Sequence, residues 1–130
     1  MLADIAAYLV TQGVCTGINT DLFIAQVPES PDLCVMLFEY AGMPPDTTFD
    51  GTYDTRPSLQ VRVRAGRNAY GAGIAKIKAI EAALHGLSNI TLSGTLYKSI
   101  MAQASPGFIG RDTPEGRPEW TQNFNIIRGA

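Results

Sequence analysis

The chain has 130 residues, of which 45% are hydrophobic and 17% are charged, so its composition predicts a folded core and excludes a globally disordered protein. At this length we expect one domain that spans residues 1–130. The formal net charge of −2 argues against a general nucleic-acid-binding protein, which should be strongly basic.

The sequence shows neither the pattern of a targeting segment nor that of a membrane span. The apolar N-terminus carries Asp4, lacks a basic start and is too short to cross a bilayer. Cys15 and Cys34 form no CxxC pair, and His85 is the only histidine. We therefore expect two inert thiols in a reducing compartment, no zinc site or other cofactor, and no membrane partner.

The N-terminal quarter of the chain predicts a helix, a turn and a short strand. Residues 2–12 form an amphipathic helix in this interpretation, with an apolar face made of Leu2, Ile5, Ala6 and Leu9. A turn-rich connection follows at 14–21, then a strand at 22–27. Two prolines and two acids predict a loop at 28–32.

Residues 33–40 are almost continuously apolar, which is typical of a strand that is buried on both faces. Either the chain itself covers both faces, or another subunit covers one of them. The polar, acidic and proline-rich residues 42–56 predict a long loop, and long loops in small domains are often functional or mobile.

A strand followed by a helix is predicted at the centre of the sequence. Apolar residues alternate with polar and basic ones in the order Leu59, Gln60, Val61, Arg62, Val63, Arg64 and Ala65. The residues after the break at 66–68 repeat an apolar stripe at spacings of three and four: Ile74, Ile77, Ile80, Leu84 and Leu87. Asn68 is the expected N-cap, and the helix should end at His85 and Gly86, with the histidine near the negative helix pole.

The C-terminal part of the sequence predicts about three strands. Residues 90–92 and 96–104 should flank a turn, 105–118 should form a second long loop, and 120–126 alternate in the pattern of a final strand. Strands joined by short turns favour antiparallel pairing. We therefore expect an α+β fold with a mostly antiparallel, mixed sheet of about five to six strands and two helices packed on one face.

No residue pattern predicts catalysis. Gly66 and Gly71 have the spacing of a phosphate-binding loop, but Ala72 stands where that loop needs lysine and Gly73 where it needs serine or threonine. We therefore expect that these glycines start a helix close to its sheet. His85 lies at a helix end, where capping explains it better than a catalytic triad does. Asp46, Asp50 and Asp54 lack the spacing of a calcium loop and predict a solvated acidic segment.

Arg62 and Arg64 should project from the same face of their strand. This face is either exposed to solvent or in contact with an acidic partner, another subunit or passing nucleic acid. A domain with two long polar loops and no catalytic pattern favours an assembly component over an enzyme.

Three stretches of the chain resemble the small tail terminator, or minor capsid, proteins of long-tailed bacteriophages, which share the fold of the lambda tail terminator. The stretches are the opening helix, the strand–helix unit at 58–87 (SLQVRVRAGRNAYGAGIAKIKAIEAALHGL), and residues 106–127 (PGFIGRDTPEGRPEWTQNFNII). The resemblance implies a non-enzymatic virion protein, assembled in the bacterial cytoplasm. Such proteins form a ring, usually a hexamer, that stops growth of the tail tube.

The resemblance also implies partners: copies of the chain itself, the tail tube protein, a head-tail connector or neck protein, and double-stranded DNA that passes through the ring without sequence recognition. The loops at 42–56 and 106–118 are candidates for contacts above and below the ring. The basic strand and the acidic loop are candidates for head-to-tail pairing between subunits. The candidate interface residues are Met36, Phe38, Asp46, Asp50, Asp54, Arg62, Arg64, Arg111, Asp112 and Arg117.

Three other functions remain open from the sequence. The first is a neck or head-completion protein. The second is a small ligand-binding or enzymatic domain, which would use a pocket between the helix and the 106–118 loop and would gather polar groups there. The third is a regulatory protein that binds one partner through its sheet.

Overall fold

A computed structural model of the chain describes residues 1–47, 51 and 53–129. In chain order, the elements are α1 (Leu2–Thr11), β1 (Leu22–Ile24), β2 (Cys34–Thr47), β3 (Tyr53–Arg64), α2 (Tyr70–Leu84), β4 (Leu87–Leu92), β5 (Thr95–Ala102), β6 (Gly107–Arg111) and β7 (Pro118–Arg128).

The strands form one mixed sheet in the order β1-β2-β3-β7-β5-β4, with β6 also paired to β7. Only the β1–β2 pair is parallel among the described strands. β5 and β6 lie end to end along one edge of β7, because β6 pairs with residues 118–121 and β5 with residues 124–128. The predicted α+β class is confirmed, with seven strands described instead of five or six.

Both helices pack on the same face of the sheet, and the main core lies between them and the strands. The predicted apolar face of α1 is buried, and so are the apolar positions of β3. β7 contributes Trp120, Phe124 and Ile126 to the same core. Each fully buried aliphatic or aromatic side chain contributes roughly 1.5–3 kcal/mol, so this layer accounts for most of the favourable free energy of folding.

Gly73 sets the distance between α2 and the sheet. A Cβ atom at this position would overlap the indole ring of Trp120 and approach Ala65, so only glycine lets the helix lie this close. The expectation that glycines start a helix close to its sheet is therefore confirmed for Gly73. Gly71, one half-turn earlier, faces open space.

The two ends of α2 differ in how well the sequence predicts them. The predicted N-cap is wrong: Ala69 occupies that position and no side chain caps the helix start. The predicted C-terminal end is confirmed, with Gly86 at φ +85° after the last turn. His85 accepts a hydrogen bond at Nδ1 from the Ala102 N–H at 2.9 Å, so it ties the helix end to β5.

The predicted loop at 42–56 is wrong for the residues that the structure describes, because β2 continues through 42–47 and β3 through 53–56 as a paired ribbon. Met43 lies opposite Arg56 and Thr47 opposite Tyr53, with one register shift before Met43 and one after it. The sequence predicts a loop here because of the prolines at 44 and 45. β1 pairs with β2 only as far as Leu37, so beyond that point β2 is an edge strand, where proline is tolerated. We call residues 40–47 and 53–57 the β2–β3 arm.

The predicted loop at 105–118 is wrong in part, because β6 occupies its first half. β6 pairs with the start of β7, and the turn that remains spans residues 112–117. The strand predicted at 22–27 ends at Ile24, since Ala25 has a positive φ of 56°. The glycines at 107 and 110 mask the strand pattern of β6, although its partner β7 begins only a short turn later.

Residues 33–40 are confirmed as a strand buried on both faces at its start. Val35 and Leu37 face the helices, whereas Cys34 and Met36 form a second cluster with Phe23 on the opposite face. The chain itself therefore covers both faces of this part of β2.

The contact between Gly73 and Trp120 yields a test of the packing. We expect Gly73→Ala to lower the free energy of unfolding by about 1–3 kcal/mol, because the added methyl group forces the helix away from the sheet. Urea denaturation measures the change. Gly71→Ala is the matched control, since it adds the same methyl group into open space and should raise stability by up to about 1 kcal/mol. Equal effects of the two variants would contradict the packing account.

Candidate assembly surfaces

The sheet face opposite the helices, here called the outer face, carries most of the residues that the sequence singled out. The register of β2, β3 and β7 aligns Met36 with Arg62 and Thr121, and Phe38 with Gln60 and Asn123. A row of polar side chains therefore crosses the middle of the sheet on this face, beside the cluster at Met36.

Arg64 is buried on the outer face, with only 1% of its surface exposed. Its guanidinium donates hydrogen bonds to the backbone oxygens of Pro28, Pro31 and Asp32, at 2.6, 2.9 and 3.3 Å. The interpretation of a solvent-exposed basic face is therefore wrong for Arg64. The side chain instead fixes the 28–32 loop against the sheet.

Arg62 lies two residues earlier and remains partly exposed. Its Nη2 is 3.1 Å from an Oε2 atom of Glu119, and its guanidinium carbon lies 5.7 Å from the ring centroid of Phe38. A partly exposed ion pair with a cation–π contact stabilises the fold by about 1 kcal/mol. Part of the positive charge that the sequence places on this face is thus balanced within the chain.

Arg117 and Asp112 close the turn between β6 and β7. The carboxylate of Asp112 accepts hydrogen bonds from the Arg117 backbone N–H at 2.6 Å and from its Nε at 2.8 Å. Arg117 also donates to the Glu29 carbonyl at 2.6 Å and contacts Asp32 at 3.3 Å, so it reaches the same loop that Arg64 holds. Burial alone would raise the pKa of Asp112, but the hydrogen bonds and charge of Arg117 outweigh it and lower that pKa.

The remaining predicted interface residues fall into different environments. Arg111 is exposed and donates from Nη1 to the backbone oxygens of Arg67 and Gly116. Asp54 pairs with Lys98 at 2.7 Å. Asp46 is described only by its backbone register opposite Asp54, and Asp50 lies outside the described residues. Met36 is fully buried by the chain itself, whereas Phe38 is half-buried.

The structure exposes two groups of large apolar side chains that the sequence analysis did not single out. The first lies on the β2–β3 arm and consists of Tyr40, Met43 and Tyr53. The second lies at the opposite end of the sheet, where Tyr70 and Phe108 are about half exposed beside the buried Trp120. The consecutive pair Phe108-Ile109 inside a glycine- and proline-rich stretch is the one sequence signal that indicated the second group.

The second group lines an open groove of about 580 Å³ between α2 and the 105–108 segment, here called the α2–β6 groove. Three aromatic rings form its floor and wall, with centroids 5.0 Å apart for Tyr70 and Trp120 and 5.8 Å apart for Phe108 and Trp120. Ile74, Lys78 and Pro106 also line the groove. This groove lies where the sequence placed a ligand pocket in the enzyme alternative.

Glu81 also borders the groove, but its carboxylate accepts a hydrogen bond from Nε2 of the buried Gln122. Across the described residues, no group of three or more His, Cys, Asp or Glu side chains is placed to hold a metal ion. Neither helix in that part of the chain is long and apolar enough to cross a membrane.

Both cysteines are free and buried. Burial, with a smaller effect of the Asp21 charge, raises the pKa of the Cys15 thiol to about 11. Burial also raises the pKa of Cys34. Since the thiolate is the nucleophile, both thiols should react slowly at neutral pH while the chain is folded.

The contrast between the two arginines of β3 yields a stability test. We expect Arg64→Met to lower the free energy of unfolding by about 2–4 kcal/mol, because three backbone oxygens lose a charged donor. Arg62→Met is the matched control on the same strand face, and it should cost less than about 1 kcal/mol. Urea denaturation of both variants measures the difference. A larger loss for Arg62→Met would contradict the assigned role of Arg64.

The Asp112–Arg117 pair yields a pH test. The folded-state pKa of Asp112 is lowered, so its stabilisation is complete above the unfolded-state value of about 3.9 and is lost as the pH falls from there through the folded-state pKa. We expect Asp112→Asn to be less stable at pH 7 and to show a shallower loss of stability in acid. Chemical denaturation between pH 3 and 7 measures both. Parallel pH profiles for the two proteins would contradict the pairing.

The chain is similar in sequence to a known protein family and in fold to a chain of a solved structure. A family model described as "Bacteriophage tail terminator protein" matches residues 8–128. A solved structure titled "Virion of native gene transfer agent (GTA) particle" contains a chain with a TM-score of 0.67 to this one at 16% sequence identity, covering 100% of this chain and 95% of that chain. At this identity the likeness shows a shared fold. No curated protein matches the chain in sequence.

Proposed function

We propose that this chain, which belongs to the bacteriophage tail terminator protein family, forms a ring at the head-proximal end of a tail tube. The ring stops polymerisation of the tube and joins the tail to the head connector. The family match over residues 8–128 is the observation that carries the proposal. The family is structural, and the chain is accordingly a virion component.

The distribution of exposed surface supports the ring. A closed ring of more than two copies needs two different surfaces that fit each other, because a self-complementary patch produces only dimers. The β2–β3 arm and the α2–β6 groove are two different exposed apolar surfaces, and they lie at opposite ends of the sheet. The proposed copy number is six, as the resemblance implies.

The proposal includes partners on both sides of the ring. The tail tube protein contacts one side and the connector or neck protein contacts the other, and assembly takes place in the bacterial cytoplasm. Double-stranded DNA passes through the opening without sequence recognition. The formal net charge of −2 is consistent with this role, since tight phosphate binding requires an excess of basic residues. The shared fold with a chain of the gene transfer agent virion supports the setting in a virion.

Tail length measures the proposed function directly. In the strain that encodes this chain, deletion of its gene should produce tails of irregular and excessive length without heads, because nothing stops the tube. Electron microscopy of the particles provides the length distribution, and a plasmid copy of the gene should restore uniform tails.

Two other outcomes of the deletion would reject the proposal. Tails of uniform length that lack heads would instead indicate a neck or head-completion protein. Intact particles at normal yield would indicate a function outside tail assembly.

A further inference from the structure

We propose that the 28–32 loop is a strap that opens while the rest of the chain stays folded, and that the turn at 112–117 controls this opening through Arg117. Opening uncovers Cys34 and the apolar cluster around it on the outer face. The inference concerns a conformational change within one subunit, so it goes beyond the proposed function and does not rest on the ring.

The 28–32 loop is joined to the sheet by side chains. Within the part of the chain that the structure describes, no hydrogen bond between backbone groups involves residues 26–33. Arg64 binds three carbonyl oxygens of the loop, and Arg117 binds a fourth, that of Glu29. Arg117 also contacts the carboxylate of Asp32 at 3.3 Å. Two guanidinium groups therefore hold a segment that belongs to no helix or strand.

The loop buries little apolar surface of its own. Four of its five residues are exposed, and Pro28 is half-buried. Segments with few buried apolar contacts and few backbone hydrogen bonds open locally at a lower free energy than the whole chain unfolds. Opening also returns two guanidinium groups to water, since Arg64 is 1% exposed and Arg117 is 7% exposed in the closed state. Their recovered hydration offsets part of the lost hydrogen bonds, so the loop opens at low cost.

The closed loop covers Cys34. This residue lies directly opposite Arg64 in the register of β2 and β3, so it is on the face where Arg64 reaches the loop. Cys34 is 1% exposed and forms a cluster with Phe23 and Met36. Burial raises the pKa of its thiol, and the charges of Arg64 and Arg117 partly offset this effect, so both guanidinium groups lie close to the sulfur. Displacement of the loop and the two arginines therefore exposes the thiol.

The 112–117 turn determines where Arg117 points. Asp112 accepts hydrogen bonds from the backbone N–H and from Nε of Arg117, which directs Nη1 of the guanidinium to the loop. The hydrogen bonds of Asp112 to described residues all stay within the turn, so Asp112 is a positioning residue that acts on the loop through Arg117. Arg111 donates to the backbone oxygens of Arg67 and Gly116. The turn thus connects the segment before α2 with the loop on the outer face.

Thiol labelling of the natural chain tests whether the loop opens by itself. We expect N-ethylmaleimide to label Cys34 at a rate that stays constant at low urea, because local opening exposes little surface. Cys15 lies in the main core and is the reference, and its rate should rise with urea in step with global unfolding. Peptide mapping by mass spectrometry gives both rates. A Cys34 rate that follows the global unfolding equilibrium at every urea concentration would overturn the inference.

The variant Asp112→Asn tests control by the turn. It keeps the size of the side chain but removes the charge that positions Arg117, so we expect Cys34 to be labelled about tenfold faster at low urea. The rate at Cys15 should change much less, because its position in the main core does not depend on the loop.

Glu115→Gln is the matched control for this variant. The Glu115 carboxylate lies 3.7 Å from Nη2 of Arg117 and its side chain is 53% exposed, so the substitution removes a charge beside the same guanidinium at a longer, more solvated contact. It should change the labelling rate of Cys34 by less than about twofold. Equal acceleration by the two variants, or no acceleration by Asp112→Asn, would overturn the assigned control by the turn.

These outcomes are separate from those of the gene deletion, because they are measured on the isolated chain. If Cys34 labelling follows global unfolding while deletion still produces overlong tails, the loop is a fixed part of the outer face and the terminator function stands. If Cys34 labelling is constant at low urea while deletion leaves intact particles, the loop opens as inferred and the proposed function is rejected.

Discussion

The central strand β7 constrains the rest of the fold, because it is hydrogen-bonded along both of its edges. β3 occupies one edge, and β5 and β6 share the other end to end. Its inward side chains form much of the core, and Trp120 fixes how closely α2 can approach through Gly73. The α2–β6 groove exists because β6 and α2 both rest on this tryptophan, so the core and the candidate contact surface depend on the same residue.

Internal ion pairing determines which charges remain for partners. Arg64 and Arg117 appear as free basic residues in the sequence, yet both are buried and both hold the 28–32 loop. Arg62 is paired with Glu119. Lys78 and Arg111, by contrast, are exposed, and both lie on the groove side of the molecule. The exposed positive charge therefore lies near the groove and not on β3, where the sequence suggests it.

These two constraints leave apolar surface available for contact with other proteins of the particle. The 28–32 loop and its hydrogen bonds to Arg64 cover part of the outer face. Apolar side chains are instead exposed at the arm and the groove. Exposed aromatic and methionine side chains lower the solubility of an isolated chain, and such groups mark sites where another molecule binds. The membership of the tail terminator family gives this arrangement a biological setting.

The sequence by itself determined the elements whose signal is local. The period-two pattern of β3 and the apolar stripes of α1 and α2 were sufficient, because alternation and helical spacing depend only on neighbouring residues. The resemblance to a known family also came from contiguous stretches. Only the tertiary structure decided that Arg64 is buried, that residues 42–47 pair with 53–56 as strands, and that Tyr70, Phe108 and Trp120 meet in one groove. The burial of Arg64 and the aromatic groove depend on contacts between residues far apart in the chain, which no local pattern encodes. The paired strands were missed for a different reason, because their prolines favour a loop in the sequence and are tolerated in an edge strand.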